Sequence, residues 1–262
     1  LLNKIRTNLT QKPQTENQGQ VSFIYNCSDF EDGLSFINEN KLLNINSDYK
    51  SLFLTHRTIA KKNGFESLYQ VYSNRYKMYA NQRLFEKDDR YSDFFMGDRG
   101  VEKLIEFYLE KNYNEFISLL GKTGFKLRYH ADKIKIKNEI DELITIRETK
   151  TVKDVLEFLK ETSLISISDR IKDFEKRIAS DDTEQDNNFE RDYKFYNELI
   201  TITYDEWLKV YRYVQADTPF STKHNTKGDE YGNVLLVIDD NAWKQQYNFD
   251  KMISSSDTSE NR

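Results

Sequence analysis

The sequence predicts an α/β protein in which one parallel-sheet domain is interrupted by an all-α insertion. Short apolar runs typical of buried strands occur near both ends of the chain. They lie at 20–26 and 50–55 and again at 218–222 and 233–238. Between about 84 and 214 the apolar residues recur instead at i, i+3 and i+4, which is typical of amphipathic helices. The flanking pieces are too short to be separate domains. We therefore expect one discontinuous domain, 1–83 with 215–262, around a helical subdomain, 84–214.

Composition limits the classes of protein that this chain can be. It has 262 residues and a net charge of −5, so any contact with nucleic acid must be a local patch. The single cysteine, Cys27, excludes an internal disulfide and a cysteine-rich zinc site, and fits a reducing cytosol. No apolar run approaches the ~20 residues that span a membrane, so we expect a cytoplasmic protein with no membrane partner.

The N-terminal piece contains two predicted strands, at 20–26 and 50–55. Thr55 ends the second strand, a helix follows from Thr58, and Asn63 with Gly64 can terminate that helix. The next segment, from Phe65 to Tyr72, is aromatic. Its helical spacing favours a place in the core over a role in base stacking.

The middle of the chain contains seven amphipathic stripes and no convincing strand. They predict helices within 101–109, 113–120, 136–144, 152–159, 167–178, 195–200 and 207–214. An acidic stretch at 181–188 predicts a surface loop between two of these helices. The C-terminal piece then returns to strands, at 218–222 and 233–238, and the second of these is expected to be covered on both faces.

A polar loop between the last two strands carries a spaced motif. It reads Thr222-x-His224-x-x-Lys227-Gly228-x-Glu230-Tyr231-x-x-Val234. This pattern resembles motif V of UvrD/Rep-type superfamily 1 DNA helicases, T-x-H-x-x-K-G-x-E-[FY]-x-x-V. A coincidental polar loop before a strand is the alternative. The resemblance implies that the interrupted domain is the second RecA-like domain of such a helicase, with its helical inserted subdomain.

A second, weaker match lies upstream. Thr55-His56-Arg57 resembles the IVa region of the same helicases, where a strand ends in a short polar stretch that carries Arg. His56 and Arg57 would then lie at the carboxyl end of a parallel strand, which is the usual ligand edge. A helix N-terminal turn with two polar surface residues is the alternative.

The resemblance implies a role for each matched residue. Thr222 and His224, with His56 and Arg57, would bind the backbone of single-stranded DNA. Gly228 and Glu230 would contact the nucleotide, so the full-length enzyme would use ATP and Mg²⁺. No catalytic residue, no metal site and no cofactor are expected in this stretch of chain alone.

The densest basic run lies in the predicted helical subdomain. It comprises Lys126, Arg128, His130, Lys133, Lys135 and Lys137. A solvated helix face is one interpretation. Duplex DNA is the other, because related inserted subdomains touch the duplex, and such contacts would involve Lys126, Arg128, Lys133, Lys135 and Lys137. The nearby Gly121-Lys122-Thr123 is not a P-loop, because Phe116 stands where the first glycine should be and no buried strand precedes it.

The sequence therefore predicts a fragment of an ATP-dependent DNA helicase or translocase of the UvrD type. Its expected partners are single-stranded and duplex DNA and the first RecA-like domain of the same chain. One alternative is a helicase-like subunit of a nuclease or phage-defence complex, with a nuclease as partner. Another is a non-catalytic interaction module on a degenerate RecA-like scaffold.

The first prediction concerns ATP hydrolysis. The chain lacks a Walker A lysine, an Asp-Glu pair for Mg²⁺ and the arginines of motifs IV and VI, which together stabilise the charge of the transferring phosphoryl group. We expect no ATP turnover with or without single-stranded DNA in a phosphate-release assay. An identically purified preparation lacking the protein sets the background. DNA-stimulated turnover that follows the protein through repurification would contradict this.

Overall fold

The computed structural model describes residues 20, 22–24, 27, 30–42, 49–53, 55–122, 127–162, 164–179, 187–215, 220–222 and 231–238. Its contacts divide the chain into two compact units, Leu1–Asp48 and Tyr49–Arg262.

The described part of the first unit contains helix α1, Phe30–Glu39, whose Ile37 is buried. Residues 20 and 22–24 are not in a strand, so the prediction of a strand at 20–26 is wrong at these positions. Residues 21, 25 and 26 lie outside the described part.

The second unit carries the remaining described elements, and most of them are helices. They are α2 His56–Asn63, α3 Glu66–Tyr76, a 3₁₀ turn Lys77–Tyr79, α4 Ala80–Phe85, α5 Arg90–Met96, α6 Val101–Leu109, α7 Tyr113–Lys122, α8 His130–Thr149, α9 Val152–Thr162, α10 Asp169–Ala179, α11 Asn187–Thr201 and α12 Asp205–Val214. All seven helices predicted from the amphipathic stripes form, as α6 to α12. Within the described ranges, no helix combines the length and apolarity needed to cross a membrane.

The predicted fold class, a RecA-like parallel-sheet domain with an inserted helical subdomain, is wrong. The described chain is mostly helical, and its sheet has three short strands: β1 Tyr49–Phe53, β2 Phe220–Thr222 and β3 Asn233–Leu236. The error arises from the expected burial of the last strand. The apolar run 234–238 is expected to be covered on both faces, but Val234, Leu236 and Ile238 are exposed. An apolar run predicts a strand without showing that helices cover both of its faces.

The small sheet has strand order β2-β1-β3, and both pairs are parallel. Phe53 of β1 lies opposite Thr222 of β2, and Leu52 lies opposite Leu236 of β3. The central strand is the buried one, since Ser51 and Phe53 are both almost fully covered. The sequence predicts that 20–26, 50–55, 218–222 and 233–238 lie in one mostly parallel sheet, and the parallel pairing of β1, β2 and β3 confirms this for the last three.

The core of the helical part is aromatic. The Trp207 ring lies 5.0 Å from that of Phe95 and 5.9 Å from that of Tyr72, and Tyr72 also meets Phe195 edge-on at 5.4 Å. Such pairs contribute about 0.5–1.5 kcal/mol each beyond the burial of their area. Phe65, Leu68 and Tyr72 are fully buried, which confirms that the aromatic helix α3 belongs to the core.

A buried carboxylate, that of Asp89, joins α3 to α5. It accepts hydrogen bonds from the hydroxyl groups of Tyr72 at 2.9 Å and Tyr76 at 2.7 Å. It also caps α5 by accepting from the backbone N–H of Tyr91 at 3.0 Å, while Ser92 completes a capping box. Asp89 therefore fixes where α5 begins relative to α3.

A buried ion pair joins α6 to α8. Arg147 Nη1 donates to Glu102 Oε2 at 2.6 Å, and both side chains are almost completely covered. Burial raises the pKa of Glu102 above its ordinary value although the guanidinium lies beside it. The cost of burying the charge therefore exceeds the attraction of its partner, as is common for buried pairs.

We expect the Arg147→Met variant to lose about 3–5 kcal/mol of unfolding free energy, because Glu102 is left buried without its cation. The double variant Glu102→Leu/Arg147→Met should recover most of this loss, since it removes both charges. Because the pKa of Glu102 is raised in the folded state, the deficit of the single variant should shrink as pH falls towards the carboxyl group's ordinary pKa.

Urea denaturation measures these differences. Lys153→Met is the matched control, because it removes an exposed pair with Glu157 at 3.7 Å and should cost less than about 1 kcal/mol. A double variant as unstable as the single one would contradict the argument.

Candidate functional site

The carboxyl edge of the sheet leads directly into helix α2. Thr55 is extended, at φ −132° and ψ 146°, and its side chain accepts a hydrogen bond from the backbone N–H of Thr58 at 3.3 Å. This N-cap starts the helix at His56, two residues earlier than predicted. Gly64 closes it in the left-handed region, at φ 75°, as the sequence predicts.

Parallel pairing brings the match at Thr55–Arg57 and Thr222, the first residue of the other match, to one edge of the sheet. Because Phe53 lies opposite Thr222 in parallel strands, the segment from Thr55 to Arg57 and the end of β2 leave the sheet on the same side. These segments are far apart in the sequence, and the pairing of β1 with β2 makes them neighbours.

His56 is half-buried and packs among aromatic rings. Its ring centroid lies 4.8 Å from that of Phe85 in α4 and 6.3 Å from that of Tyr213 in α12. Its Nδ1 lies 3.4 Å from the Tyr213 hydroxyl. Burial raises the pKa of Tyr213 to about 12, so this hydroxyl keeps its proton at neutral pH. Packing therefore fixes the orientation of the imidazole.

Arg57 differs from its neighbour because its side chain is exposed. Burial raises the pKa of Tyr69, and the charge of Arg57 is among the effects that oppose this shift, so the guanidinium lies within electrostatic range of the Tyr69 hydroxyl. Arg57 is thus the exposed cation of this edge. The predicted site residues His224, Gly228, Glu230 and Lys126 lie outside the described residues, as does the side chain of Thr222.

The basic run divides between two flanks of α8. Lys133 and Lys137 are one turn apart on one flank, whereas Lys135 lies on the opposite flank. Lys137 donates to Asp141 at 2.7 Å and Lys135 lies 3.7 Å from Glu139. Arg128 and Lys133 are exposed. A duplex lying along one flank would therefore not meet all of these lysines together.

Two other chemistries find no support among the described residues. No group of three or more His, Cys, Asp or Glu side chains there could hold a metal ion. Gly121 and Lys122 are in the last turn of α7. A P-loop precedes its helix, so this placement agrees with the exclusion of a phosphate cradle there.

The structure also contains a cationic cleft that the sequence motifs do not indicate. It is lined by Arg90, Arg170, Asp173, Phe174 and Arg177. Four of these residues follow i, i+3, i+4, i+7 spacing on α10, which is a signal that could have found them. Arg90 comes from α5, and only the fold brings it there.

Comparisons with protein-family models, with curated proteins and with solved structures find no match to this chain. The helicase resemblance therefore rests on the sequence motifs quoted above.

We expect Thr55→Ala to lose about 1 kcal/mol of unfolding free energy, because the first turn of α2 loses its cap. Thr55→Ser keeps the hydroxyl and should lose much less. Thr145→Ala is a matched control, since this exposed hydroxyl on α8 donates only to the carbonyl of Asp141. Its effect should stay within about 0.5 kcal/mol in the same urea titration. Equal losses for Thr55→Ser and Thr55→Ala would contradict the cap.

Proposed function

We propose that this chain supplies single-strand contacts to an ATP-dependent DNA helicase or translocase of the UvrD/Rep type. The observation that supports the proposal best is the parallel pairing of β1 with β2, because it brings Thr222 to the edge of the sheet where Thr55 to Arg57 follow β1. The proposal concerns the contacts made at this edge and does not require that this chain itself form a RecA-like domain.

The edge offers donors suited to phosphate oxygens. Arg57 is an exposed guanidinium, and the first turn of α2 directs its backbone N–H groups and positive dipole end towards the same side. A threonine hydroxyl such as that of Thr222 can donate without a fixed charge, which would let a translocating protein release each phosphate. His56, whose ring is fixed by packing against Phe85 and Tyr213, would contact the strand beside Arg57.

The proposed contacts with the nucleotide rest on the sequence resemblance alone. Gly228 and Glu230 would contact the nucleotide, with Glu230 at the ribose because a carboxylate accepts from a hydroxyl and repels phosphate. ATP and Mg²⁺ would be held mainly by the first RecA-like domain. Duplex DNA ahead of the point where its strands separate would contact Lys133 and Lys137, which share a flank of α8. Arg128, and Lys126 close to it in the sequence, would contribute to the same contact.

A non-catalytic interaction module is the second candidate. The observation that favours it is a group of exposed apolar side chains, Leu109, Tyr113 and Ile117, around the turn between α6 and α7. Exposed apolar groups of this kind mark protein-binding surfaces. The two candidates differ in one measurable property, which is affinity for single-stranded DNA.

We expect the chain to bind a short labelled single-stranded oligonucleotide, with an affinity that falls as salt rises. Arg57→Ala should weaken binding several-fold and reduce the salt slope by about 0.7, the value for one phosphate contact on a single strand. Thr222→Ala should weaken binding with little change in slope. Fluorescence anisotropy over a salt series measures both quantities.

The control is Arg99→Ala, which removes an exposed arginine from the turn between α5 and α6. This variant should bind as the unaltered chain does. Equal effects of Arg57→Ala and Arg99→Ala would reduce the interaction to general charge attraction and contradict the proposed edge. Absence of binding at low salt would favour the interaction module.

A further inference from the structure

A cleft between α5 and α10 concentrates positive charge on an acidic protein. Its volume is about 330 Å³, and its lining contains three arginines, Arg90, Arg170 and Arg177, with one carboxylate, Asp173. The chain as a whole carries a net charge of −5. Three of the five lining residues are therefore arginines, and one is an acid.

Arg90 is held in place by an aromatic ring. Its Cζ lies 3.9 Å from the ring centroid of Phe174, which is buried. A guanidinium stacked on a ring face is stabilised by cation–π attraction and still directs its N–H groups outwards in its own plane. Among the described residues Arg90 forms no ion pair, so its donors are not consumed by a carboxylate.

Arg177 is held in place by an ion pair. Its guanidinium pairs with Oδ2 of Asp192, and Arg75 donates to Oδ1 of the same carboxylate at 2.9 and 2.6 Å. Asp192 thus holds Arg177 in place from α11 while it also binds Arg75. Arg177 also lies beside Phe174, at 5.4 Å from Cζ to the ring centroid.

Arg170 completes the cleft from the start of α10. It is exposed and forms no ion pair with any residue in the described ranges. Since Arg170 and Arg177 are seven residues apart, they project from the same face of the helix. The three arginines therefore approach the cleft from two helices, with Arg90 and Arg177 already ordered by their neighbours.

We infer that this cleft binds the phosphate monoester of a nucleotide. A phosphate monoester carries about −1.5 to −2 charges at pH 7, and Arg90 and Arg170 offer it two guanidinium groups that form no ion pair among the described residues. Its oxygens accept hydrogen bonds from several guanidinium groups, which a single carboxylate ligand does less well. The flat guanidinium of Arg90 adds a face on which a base can stack.

The monoester can belong to a free mononucleotide or to the 5′ end of a strand, and the chemistry recognised is the same. This site is separate from the sheet edge proposed for single-strand contact and shares no residue with it. The inference therefore stands or fails independently of the proposed helicase function.

Isothermal titration calorimetry with AMP tests the inference, with adenosine and inorganic phosphate as the comparison ligands. We expect AMP to bind, phosphate to compete with it, and adenosine to bind far more weakly. A 5′-phosphorylated oligonucleotide compared with its 5′-hydroxyl form then separates the two sources. Preference for the phosphorylated strand over AMP assigns the cleft to strand ends, and the reverse preference assigns it to mononucleotides.

The variants identify the site. Arg170→Ala should weaken AMP binding about tenfold, because one charge-assisted bond to phosphate is lost. Arg90→Lys keeps the charge but loses the planar fork and should also weaken binding. Lys176→Ala is the matched control, since it removes an exposed cation from another face of α10 and should leave AMP affinity unchanged.

Three results would overturn the inference. These are no binding of AMP, phosphate or the phosphorylated strand at millimolar concentration, equal binding of AMP and adenosine, or equal effects of Arg170→Ala and Lys176→Ala. Arg99→Ala, which removes an exposed arginine outside both proposed sites, should also leave AMP affinity unchanged.

Discussion

The carboxylate of Asp89 holds the arrangement on which both candidate sites depend. It accepts hydrogen bonds from the hydroxyl groups of Tyr72 and Tyr76 in α3 and caps the first turn of α5, so that Arg90 begins α5 at a fixed position. Helix α3 in turn packs against Trp207 of α12. The same α12 carries Tyr213, which faces His56 at the sheet edge. One buried acceptor thus links the arginine cleft to the start of α2.

The two tyrosine hydroxyl groups that donate to Asp89 keep their protons at neutral pH for a physical reason. Burial, followed by the charge of Asp89, raises the pKa of Tyr72 well above its ordinary value. Burial and Asp89 also raise the pKa of Tyr76. Both hydroxyl groups therefore remain protonated donors wherever the protein is folded at neutral pH. Helix positions that depend on them stay fixed, and the guanidinium of Arg90 is presented on an ordered helix.

The sequence predicts the helices well because their apolar spacing is a local property. It also predicts three of the strands and their parallel pairing. It fails on the fold class because the covering of a strand is decided by distant segments, as the exposed Val234 and Leu236 show. The packing of His56 against Phe85 and Tyr213 is equally invisible in the sequence, since those rings arrive from helices α4 and α12.

The two groups of cations show why the density of basic residues is a poor guide to a site. The run from Arg128 to Lys137 is dense, but helix geometry divides it between flanks, and Lys135 and Lys137 each lie beside an acidic residue on the next turn. Exposed pairs of this kind contribute little energy, yet they reduce the local field. Arg90 and Arg170 are sparse in the sequence and form no such pair within the described chain. Because an anion is bound best by cations that no acidic neighbour offsets, Arg90 and Arg170 make the stronger anion site.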